Sequence, residues 1–566
     1  HGALRALMTR FSAADPPPQA WHPPAPWWIW VLLVGVTIAV YANSVPNGFH
    51  YDDVFTILRN PAVQEVERLP RHFWSATIGN QEGTPSYRPL LMLTYGLNYW
   101  WGGTYPAGYH VVNIGLHVMA SVLVVLLLWS LSGHAVAAVL CGFVFALHPI
   151  QTEAVNYITA RSSVLYAVAG LAAVVAFTRY RATGRVEALA GSVLAYVAAL
   201  LAKEAAVVVP VLLIGYDVIV RRFAWRDLAR WGPPHALFVA VTVAYLALRR
   251  LMMGEEITSG YQGYHADVFT AGVTFAAMVA QTLSDQLVPV NLTVSHSFAP
   301  IRELTARAVG ALLVVAAVAA VGIVACRRAG VLAFAVTWFV VALLPLAALP
   351  LITALALYQE NRGYLSAVAV AWVGGVLLAW CWESDRARQR GVTVFRRGMV
   401  LLVLGAMAVA VVVRNPVWRD DVSLWLDALS KAPGNQAAYV NLGAAYQARG
   451  DLQAAADVYQ RAVERFPRNA ILHNNLGALY RASGDFRRAA EEFRAAIQVN
   501  PGFAMGFFNL GRALQETGAR DEAIAAFQRF LALAPNQPGA MSSIPQARQR
   551  LGELEGGVPV QSPPPN

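Results

Sequence analysis

The chain has 566 residues, of which 57% are hydrophobic and only 13% are charged, and its formal net charge at pH 7 is +10. Soluble domains carry about 25% charged residues, so this composition excludes an ordinary soluble protein and indicates an integral membrane protein. The apolar runs have helical length and arginines cluster in the short loops between them, which is typical of membrane topology and argues against a nucleic-acid partner.

Residues 1–26 are predicted to form a cytoplasmic tail and residues 27–415 a membrane domain. A run at 268–290 is predicted to dip into the membrane and return, because a crossing there would place the basic loops 326–330 and 386–398 outside, against the positive-inside rule. Eleven other apolar runs are predicted to span the membrane, at 27–43, 110–131, 135–148, 163–178, 187–202, 205–220, 235–251, 305–326, 331–350, 364–382 and 399–414.

The first outer loop, residues 44–108, carries two adjacent carboxylates, Asp52 and Asp53, soon after the first span. Ionisable groups close to hydrocarbon are costly and usually have a function or a partner. A structural alternative is that the pair only caps a helix or fixes the topology. The later stretch 86–103, SYRPLLMLTYGLNYWWGG, is apolar and aromatic on an approximate helical period, which suits a helix lying at the membrane interface.

Three further polar groups fall in loops that this topology places on the same outer side as Asp52. Arginine and lysine can hold an anionic phosphate while a carboxylate accepts a proton, so the groups are predicted to form one site. The groups are His148, Glu153 and Arg161 between the third and fourth spans, Lys203 and Glu204 between the fifth and sixth, and Tyr358, Glu360, Arg362 and Tyr364 around residue 360.

Each of these groups also has a purely structural interpretation. His148 precedes Pro149 and could only cap the end of its span. Glu153 and Arg161, or Glu360 and Arg362, could be structural ion pairs. The Lys203–Glu204 pair could snorkel at the interface.

Residues 416–553 are predicted to be a soluble tetratricopeptide (TPR) domain. Three repeats are predicted at 436–469, 470–503 and 504–537, with a capping helix at 540–553 and a disordered tail at 554–566. The period is 34 residues, carried by Pro433, Pro467, Pro501 and Pro535, by Gly443, Gly477 and Gly511, and by Gly450, Gly484 and Gly518. Stacked TPR helices present an extended groove, in which Asn441, Asn475 and Asn509 are predicted to contact an acceptor; alternatively they satisfy neighbouring backbone.

The order of the motifs YDD, YRPL, NIGLH, ALHPIQTEAV followed by AR, LAKE and ENRGYL, and then the repeats, resembles the transmembrane and TPR-repeat-containing O-mannosyltransferases (TMTC) over nearly the whole chain. The resemblance implies the C-type glycosyltransferase (GT-C) superfamily, which uses polyprenyl-phosphate sugars and an acidic residue in the first outer loop. The expected fold is therefore all-α: a polytopic, GT-C-like membrane helix bundle of about eleven spans, followed by a TPR α-solenoid.

The resemblance also implies roles for individual residues. Asp52 and Asp53 match the acidic pair, and Arg161, Lys203, Glu204, Glu360 and Arg362 match positions around the donor phosphate. There are two departures: Ala160 stands where the family commonly has glycine before Arg161, and Asn361 separates Glu360 from Arg362. These departures leave the role of the Glu360 group open.

The leading functional hypothesis is a membrane glycosyltransferase that moves mannose or another hexose, with inversion, from a polyprenyl-phosphate donor to a protein or glycan hydroxyl. The predicted roles are catalysis by Asp52 and Asp53, donor-phosphate binding by Arg161, Lys203 and Arg362, support from Arg88, His148, Glu153, Glu204, Tyr358, Glu360 and Tyr364, and acceptor binding by Asn441, Asn475 and Asn509. No metal-ligand motif occurs, although two adjacent carboxylates can bind a divalent cation.

The predicted location is a bacterial inner membrane, because the chain is rich in Ala and Arg and has short loops, with the site and the TPR array on the periplasmic side. Two other functions compete with the transferase hypothesis. A non-enzymatic membrane scaffold would use the TPR array to recruit partners and would not need Asp52 or Asp53. A lipid-linked-sugar translocase would need charged groups deep within the spans, whereas this sequence keeps most of them at span ends.

Overall fold

The computed structural model is built almost entirely of helices, and it describes residues 24–78, 85–224, 226, 228–254, 266–296, 298–352, 358–383 and 390–556. Most of the predicted cytoplasmic tail and residues 557–566 of the predicted disordered tail lie outside these residues. The chain divides into two compact units, His1–Ser423 and Leu424–Asn566. The first unit therefore extends past the predicted boundary at residue 415, because the segment that follows the last span packs into it.

The first unit is a bundle of helices with short helical turns at their ends. A two-stranded antiparallel ribbon, β1 (Thr77–Ile78) with β2 (Pro85–Ser86), lies in the first outer loop. The α-helices are α1 Trp27–Tyr41, α2 Pro61–Gln64, α3 Pro89–Gly102, α4 Pro106–Ser132, α5 Ala135–Leu147, α6 Thr152–Asn156, α7 Arg161–Thr183, α8 Val186–Ala202, α9 Val209–Gly215, α10 Leu228–Met253, α11 Val268–Leu287, α12 Ala306–Arg328, α13 Gly330–Leu343, α14 Leu349–Ile352, α15 Ala367–Glu383 and α16 Arg390–Arg414.

Each of the eleven predicted spans coincides with helical structure. Seven helical segments in the described part of the chain are long and apolar enough to cross a membrane, or eight if α5 and the segment Pro149–Asn156, bent by 50°, form one span. Helices α8 and α15 are apolar but shorter. The ambiguous run at 268–290 forms α11, which is not among the membrane-length segments. The number of crossings stays a prediction.

Close contacts between membrane helices depend on small residues, which allow two backbones to approach without side chains in between. A Cβ atom added at Gly375 of α15 would lie 2.5 Å from the backbone nitrogen of Cys141 in α5. One added at Gly142 would lie 2.2 Å from a methyl carbon of Val125 in α4. These glycines let α4, α5 and α15 pack closely together.

The second unit confirms the TPR prediction. Helix α17 (Asp421–Lys431) leads into three helix pairs and a final helix: α18 Gln436–Ala448 with α19 Leu452–Arg465, α20 Ala470–Ala482 with α21 Phe486–Val499, α22 Ala504–Glu516 with α23 Arg520–Leu533, then α24 Pro538–Met541 and α25 Ile544–Glu555. Gly443 permits close pairing, since a Cβ there would lie 2.3 Å from the Tyr459 ring. The turn glycines Gly450, Gly484 and Gly518 have φ of 80°, 82° and 78°, which favours glycine.

Candidate active site

The acidic loop, residues 47–60, follows the first helix and holds its two carboxylates in different surroundings. Asp52 is half-buried, whereas Asp53 is fully buried. One carboxylate oxygen of Asp53 accepts the backbone N–H of His50 at 2.9 Å, and the other accepts that of Thr159 at 2.8 Å. Asp53 thus ties the acidic loop to the turn that precedes α7.

Burial raises the pKa of Asp53 to about 7, because taking a carboxylate out of water disfavours its charged form. The two backbone N–H groups and the positive charge of His50 oppose this shift without cancelling it. The carboxylate of Asp53 is therefore held near its titration point at neutral pH while both of its oxygens are already bonded.

His50 is fully buried, and both of its ring nitrogens face oxygen acceptors. Nδ1 lies 2.8 Å from a carboxylate oxygen of Asp421, and Nε2 lies 2.6 Å from the carbonyl oxygen of Trp418. A neutral imidazole carries only one N–H, so both contacts are hydrogen bonds only when the ring is protonated. Burial alone would lower the pKa of His50, but the Asp421 carboxylate outweighs it and the pKa is raised.

The backbone of Asp52 is also held from the side. Its N–H donates to the hydroxyl of Tyr157 at 3.3 Å, and the Tyr157 ring stacks on that of Trp418 with centroids 5.8 Å apart. Two buried amides extend the same contact: Asn47 donates to Asn156 at 2.8 Å and to the carbonyl oxygen of Asn415 at 3.1 Å. The segment Asn415–Asp421 therefore packs against the acidic loop.

Arg161 is fully buried, and all three of its guanidinium nitrogens donate to uncharged groups. Nε donates to Asn113 at 2.7 Å, Nη1 to Asn98 at 2.7 Å and Nη2 to the carbonyl oxygen of Tyr109 at 3.0 Å, while the Tyr95 ring lies 4.9 Å from the guanidinium carbon. Protein groups therefore enclose the guanidinium, and the binding of the donor phosphate by Arg161 stays a prediction. The expected Glu153–Arg161 ion pair is not among these contacts.

Lys203 is half-buried at the end of α8. Its Nζ donates to the Ser163 hydroxyl at 2.8 Å and lies 5.7 Å from the centre of the Tyr166 ring. Burial and the positive charges of Arg88 and, more weakly, Arg362 lower the pKa of Lys203 to about 7. The predicted donor-phosphate residues Lys203 and Arg362 are thus close enough to repel each other.

Arg88 and Glu204 form a two-pronged ion pair. Arg88 Nη2 lies 2.7 Å from one carboxylate oxygen of Glu204, and Arg88 Nε lies 3.0 Å from the other. Burial would raise the pKa of Glu204, but the Arg88 guanidinium outweighs it and holds the pKa well below its usual range. Glu204 therefore neutralises Arg88 rather than Lys203.

Glu153 and Glu360 form a second buried group. Glu153 accepts the Glu360 backbone N–H at 2.9 Å and the Asn361 side-chain amide at 2.6 Å. Glu360 in turn lies 3.0 Å from His296 Nε2 and 3.6 Å from Arg414 Nη2. Asn361, the residue that departs from the family motif, also accepts the Ser163 hydroxyl at 3.1 Å and so links this group to Lys203.

The remaining predicted supporting residues have internal partners. His148 Nδ1 accepts the Ile150 N–H at 3.2 Å, which caps the start of the helical turn Pro149–Gln151 and not the end of the preceding span, and its Nε2 lies 2.9 Å from the Gln286 carbonyl oxygen. The Tyr358 hydroxyl donates to Asp285 at 2.8 Å, and the Tyr364 hydroxyl lies 2.7 Å from His117 Nδ1. Among the residues that the structure describes, no group of three or more His, Cys, Asp or Glu side chains is placed to hold a metal ion.

Comparison with known proteins gives matches to both halves of the predicted organisation. The tetratricopeptide repeat family matches residues 435–501 and 474–538. Human protein O-mannosyl-transferase TMTC3 is 36% identical over 152 residues, which cover 26% of this chain and 16% of the relative. Drosophila melanogaster protein O-mannosyl-transferase Tmtc1 is 34% identical over 176 residues, which cover 30% of this chain and 20% of the relative. The chain is therefore a homologue of TMTC protein O-mannosyl-transferases.

This TMTC homologue spans about a fifth of the length of those relatives. Two crystal structures of membrane proteins also align with it. ArnT from Cupriavidus metallidurans, bound to undecaprenyl phosphate, has 15% identity over 84% of this chain and 80% of that chain, with a TM-score of 0.42. The Archaeoglobus fulgidus oligosaccharyltransferase has 13% identity over 72% of this chain and 57% of that chain, with a TM-score of 0.40.

Sequence analysis of the TMTC homologue missed several residues that hold the site together. His50 stands next to the YDD motif and could have been found from that position alone. Ser163 lies two residues after Arg161 but carries no charge to draw attention. Trp418 and Asp421 follow the last span, where the sequence suggests only a linker to the repeats.

We expect Arg161→Ala in the TMTC homologue to lower the midpoint of thermal unfolding. Removing the guanidinium leaves the side-chain oxygens of Asn113 and Asn98 without the donor they now have, and each such loss costs about 1–3 kcal/mol. A fluorescence-detected thermal melt of the purified protein in detergent measures the shift. Arg59→Ala, which removes an exposed arginine of the acidic loop, is the control and should melt like wild type. An Arg161→Ala protein with an unchanged melting midpoint but weak donor binding would instead support the prediction that Arg161 binds the donor phosphate.

Proposed function

We propose that this chain is a membrane glycosyltransferase that moves a hexose, mannose being the first candidate, from a polyprenyl-phosphate donor to a hydroxyl group of a protein or glycan. The reaction takes place on the outer face of the membrane, which we assign to the periplasmic side of a bacterial inner membrane. The relation to the TMTC proteins supports the transferase class, and the arrangement of the acidic loop and Lys203 supports the site.

One short segment, Tyr157–Ser163, carries this proposal. At its start it contacts the acidic loop, through the Tyr157 hydroxyl and the Thr159 N–H. At its end the Ser163 hydroxyl accepts a hydrogen bond from the Lys203 ammonium group. Because Thr159 and Ser163 are only four residues apart, about 6 Å along a helix, this segment ties a carboxylate and a cation to one edge of the bundle.

The donor phosphate lies, in this proposal, against Lys203 and Arg362. The positive charge of Arg362 helps to lower the pKa of Lys203, after burial and Arg88, and a phosphate between the two cations would replace repulsion with attraction. Arg88 is already neutralised by its ion pair with Glu204, so it is not assigned to the phosphate. Arg161 is a positioning residue, since its guanidinium joins α3, α4 and α7 beneath the acidic loop.

Asp52 is the general base of the proposed reaction, because it is half-buried and Asp53 has both oxygens bonded to backbone N–H groups. Asp52 takes the proton from the acceptor hydroxyl as the oxygen forms its bond to C1 of the sugar. The bond from C1 to the phosphate oxygen breaks on the opposite face, its electron pair leaves with the polyprenyl phosphate, and Lys203 and Arg362 stabilise that charge. The configuration at C1 is inverted.

A divalent cation would have to bind through Asp52, because the second carboxylate of the pair is committed to the backbone of the loop. The proposed chemistry assigns the stabilising charge to Lys203 and Arg362 instead. The acceptor, a protein or glycan, is proposed to bind the TPR groove, where Asn509 donates to Asn474 at 2.9 Å and Asn474 to Asn475 at 3.4 Å. These amides bond one another across repeats; Asn441 is proposed to extend the same row.

The proposal is tested by turnover of polyprenyl-phosphate mannose with the purified full chain, comparing wild type with Lys203→Ala. We expect the KM for the donor to rise about 10- to 100-fold with a smaller change in kcat, since losing a charge-assisted bond to an anion costs about 1.5–3 kcal/mol. In wild type, the KM should also rise as pH increases through about 7, where Lys203 loses its proton. Lys203→Arg should abolish that pH dependence, because a guanidinium stays charged.

Arg59→Ala serves as the control for removal of a cation from the outer face, and it should leave the donor KM unchanged. A wild-type protein that consumes no polyprenyl-phosphate hexose, with or without added divalent cation, would refute the transferase proposal and favour the scaffold. A Lys203→Ala variant with wild-type donor KM would refute the assigned phosphate position alone.

A further inference from the structure

The TPR unit contains three arginines that share one surface, Arg481 of α20, Arg512 of α22 and Arg550 of α25, which we call the arginine cluster. All three are half-buried. Arg550 Nη1 donates to the Gln515 side chain at 2.8 Å, and Gln515 lies one turn after Arg512 on the same helix. Burial and then the positive charges of Arg481 and Arg550 lower the pKa of Arg512, whereas the exposed Glu516 opposes this shift.

The arginine cluster has no ion-pair partner among the residues that the structure describes. Within the described part of the chain, no carboxylate oxygen lies within 4.0 Å of any of its three guanidinium groups. Other arginines of the same unit are paired: Arg488 with Asp485 at 3.5 Å and Arg494 with Glu522 at 2.6 Å. The Nε atoms of Arg481 and Arg550 are also buried without a hydrogen-bond acceptor.

The cluster belongs to the inner face of the repeats. Gly477 and Gly511 face the second helix of their own repeat, since an added Cβ would meet the rings of Phe493 and Phe527 at 2.9 Å. Asn509 stands two residues before Gly511, which is about 200° around the helix. Arg512, three residues after Asn509, is its neighbour on that surface. The cluster therefore adjoins the row of asparagine amides.

We propose that the arginine cluster and the adjoining amides bind an acidic, extended peptide segment of a protein acceptor. Guanidinium groups recognise carboxylates through two parallel N–H bonds, and no carboxylate of the described residues forms such bonds with these three arginines. The asparagine and glutamine amides can bond the peptide backbone between acidic side chains. Identifying this peptide as part of the acceptor rests on the proposed transferase function, but the binding itself does not.

The test is fluorescence anisotropy with the full chain in detergent and a labelled ten-residue peptide of alternating glutamate and alanine. We expect saturable binding that weakens with added salt and is lost when glutamine replaces glutamate. Arg512→Ala and Arg481→Ala should each weaken binding about 10- to 100-fold, the range expected for a lost charge-assisted hydrogen bond. Arg488→Ala and Arg494→Ala, which remove paired arginines of the same unit, are the matched controls and should bind as wild type does.

Thermal melts of each variant separate loss of the site from loss of the repeat fold. Equal binding of the glutamate and glutamine peptides would overturn the proposal, as would equal weakening by the control variants. Binding of anionic lipid vesicles or of an acidic glycan, without binding of the glutamate peptide, would overturn the choice of a peptide. Because the assay needs no sugar donor, a negative result leaves the transferase proposal standing, and an inactive enzyme leaves this one standing.

Discussion

Asp52→Asn is expected to lower kcat for sugar transfer by about 10²–10⁴-fold, because a carboxamide cannot take the proton from the acceptor hydroxyl. The KM for the polyprenyl-phosphate donor should change little, since Asp52 has no part in holding the phosphate. The measurement is release of labelled sugar from the donor with a small acceptor, using the purified full chain. Glu67→Gln, which changes an exposed carboxylate of the same outer loop, is the control and should retain wild-type kcat.

Asp53→Asn gives a different expected result, and the difference identifies the base. Asparagine has one acceptor oxygen where Asp53 uses two, so either the His50 N–H or the Thr159 N–H loses its partner. That loss should lower the thermal midpoint. If Asp53→Asn abolished transfer with an unchanged melt while Asp52→Asn stayed active, the two roles would be exchanged.

The fold could be predicted from the sequence because its signals are local. Lipid requires long apolar runs, so all eleven predicted spans coincide with helices. The repeat helices follow from a 34-residue period in which Gly443 must pack against Tyr459. Whether α11 crosses the membrane could not be predicted as directly, because the hydropathy of the run and the charge of the loops after it gave conflicting evidence.

The site could be predicted only as a set of loops. Sequence shows that Arg161 stands at the outer end of a span, but its partners Asn113 and Asn98 are 48 and 63 residues away. These neutral partners bury the guanidinium, and no signal close to Arg161 in the sequence reports them. His50 and Asp421 are separated by 371 residues, and no local pattern reports such a contact. Charge alone could therefore identify candidate site residues, but it could not distinguish a residue that binds substrate from one that only positions its neighbours.

His50→Gln is expected to lower kcat about 10²-fold while leaving the donor KM near the wild-type value. The imidazolium joins Asp421 and the Trp418 carbonyl to the acidic loop, and its own backbone N–H holds Asp53. Glutamine cannot donate along both ring directions, so the loop loses one anchor. A displacement of about 1 Å at a catalytic group is enough for a 10²-fold loss. His50 is thus a positioning residue.

The pH profile distinguishes this role from a general loss of structure. Because the folded pKa of His50 is raised, the stabilisation it gives is fully present below its ordinary pKa of about 6.5 and is lost as pH rises through the folded value. Asp421 and Asp53 favour its charged form. Wild-type kcat should therefore fall on the alkaline side, and His50→Gln should be uniformly slow without that fall. Asp421→Asn should shift the fall to lower pH.

His473 provides a matched control, because its ring has the same kind of contacts in the TPR unit. Its Nδ1 lies 2.7 Å from a Glu492 carboxylate oxygen and its Nε2 lies 3.0 Å from the Pro467 carbonyl oxygen. His473→Gln should cost the TPR unit comparable stability yet leave donor turnover with a small acceptor unchanged. If both histidine variants slowed turnover equally, or if His50→Gln kept the wild-type alkaline fall, His50 would have no special connection to the acidic loop. Since the loop is otherwise anchored through Asp53 and Tyr157, such a result would assign the position of Asp52 to those two contacts alone.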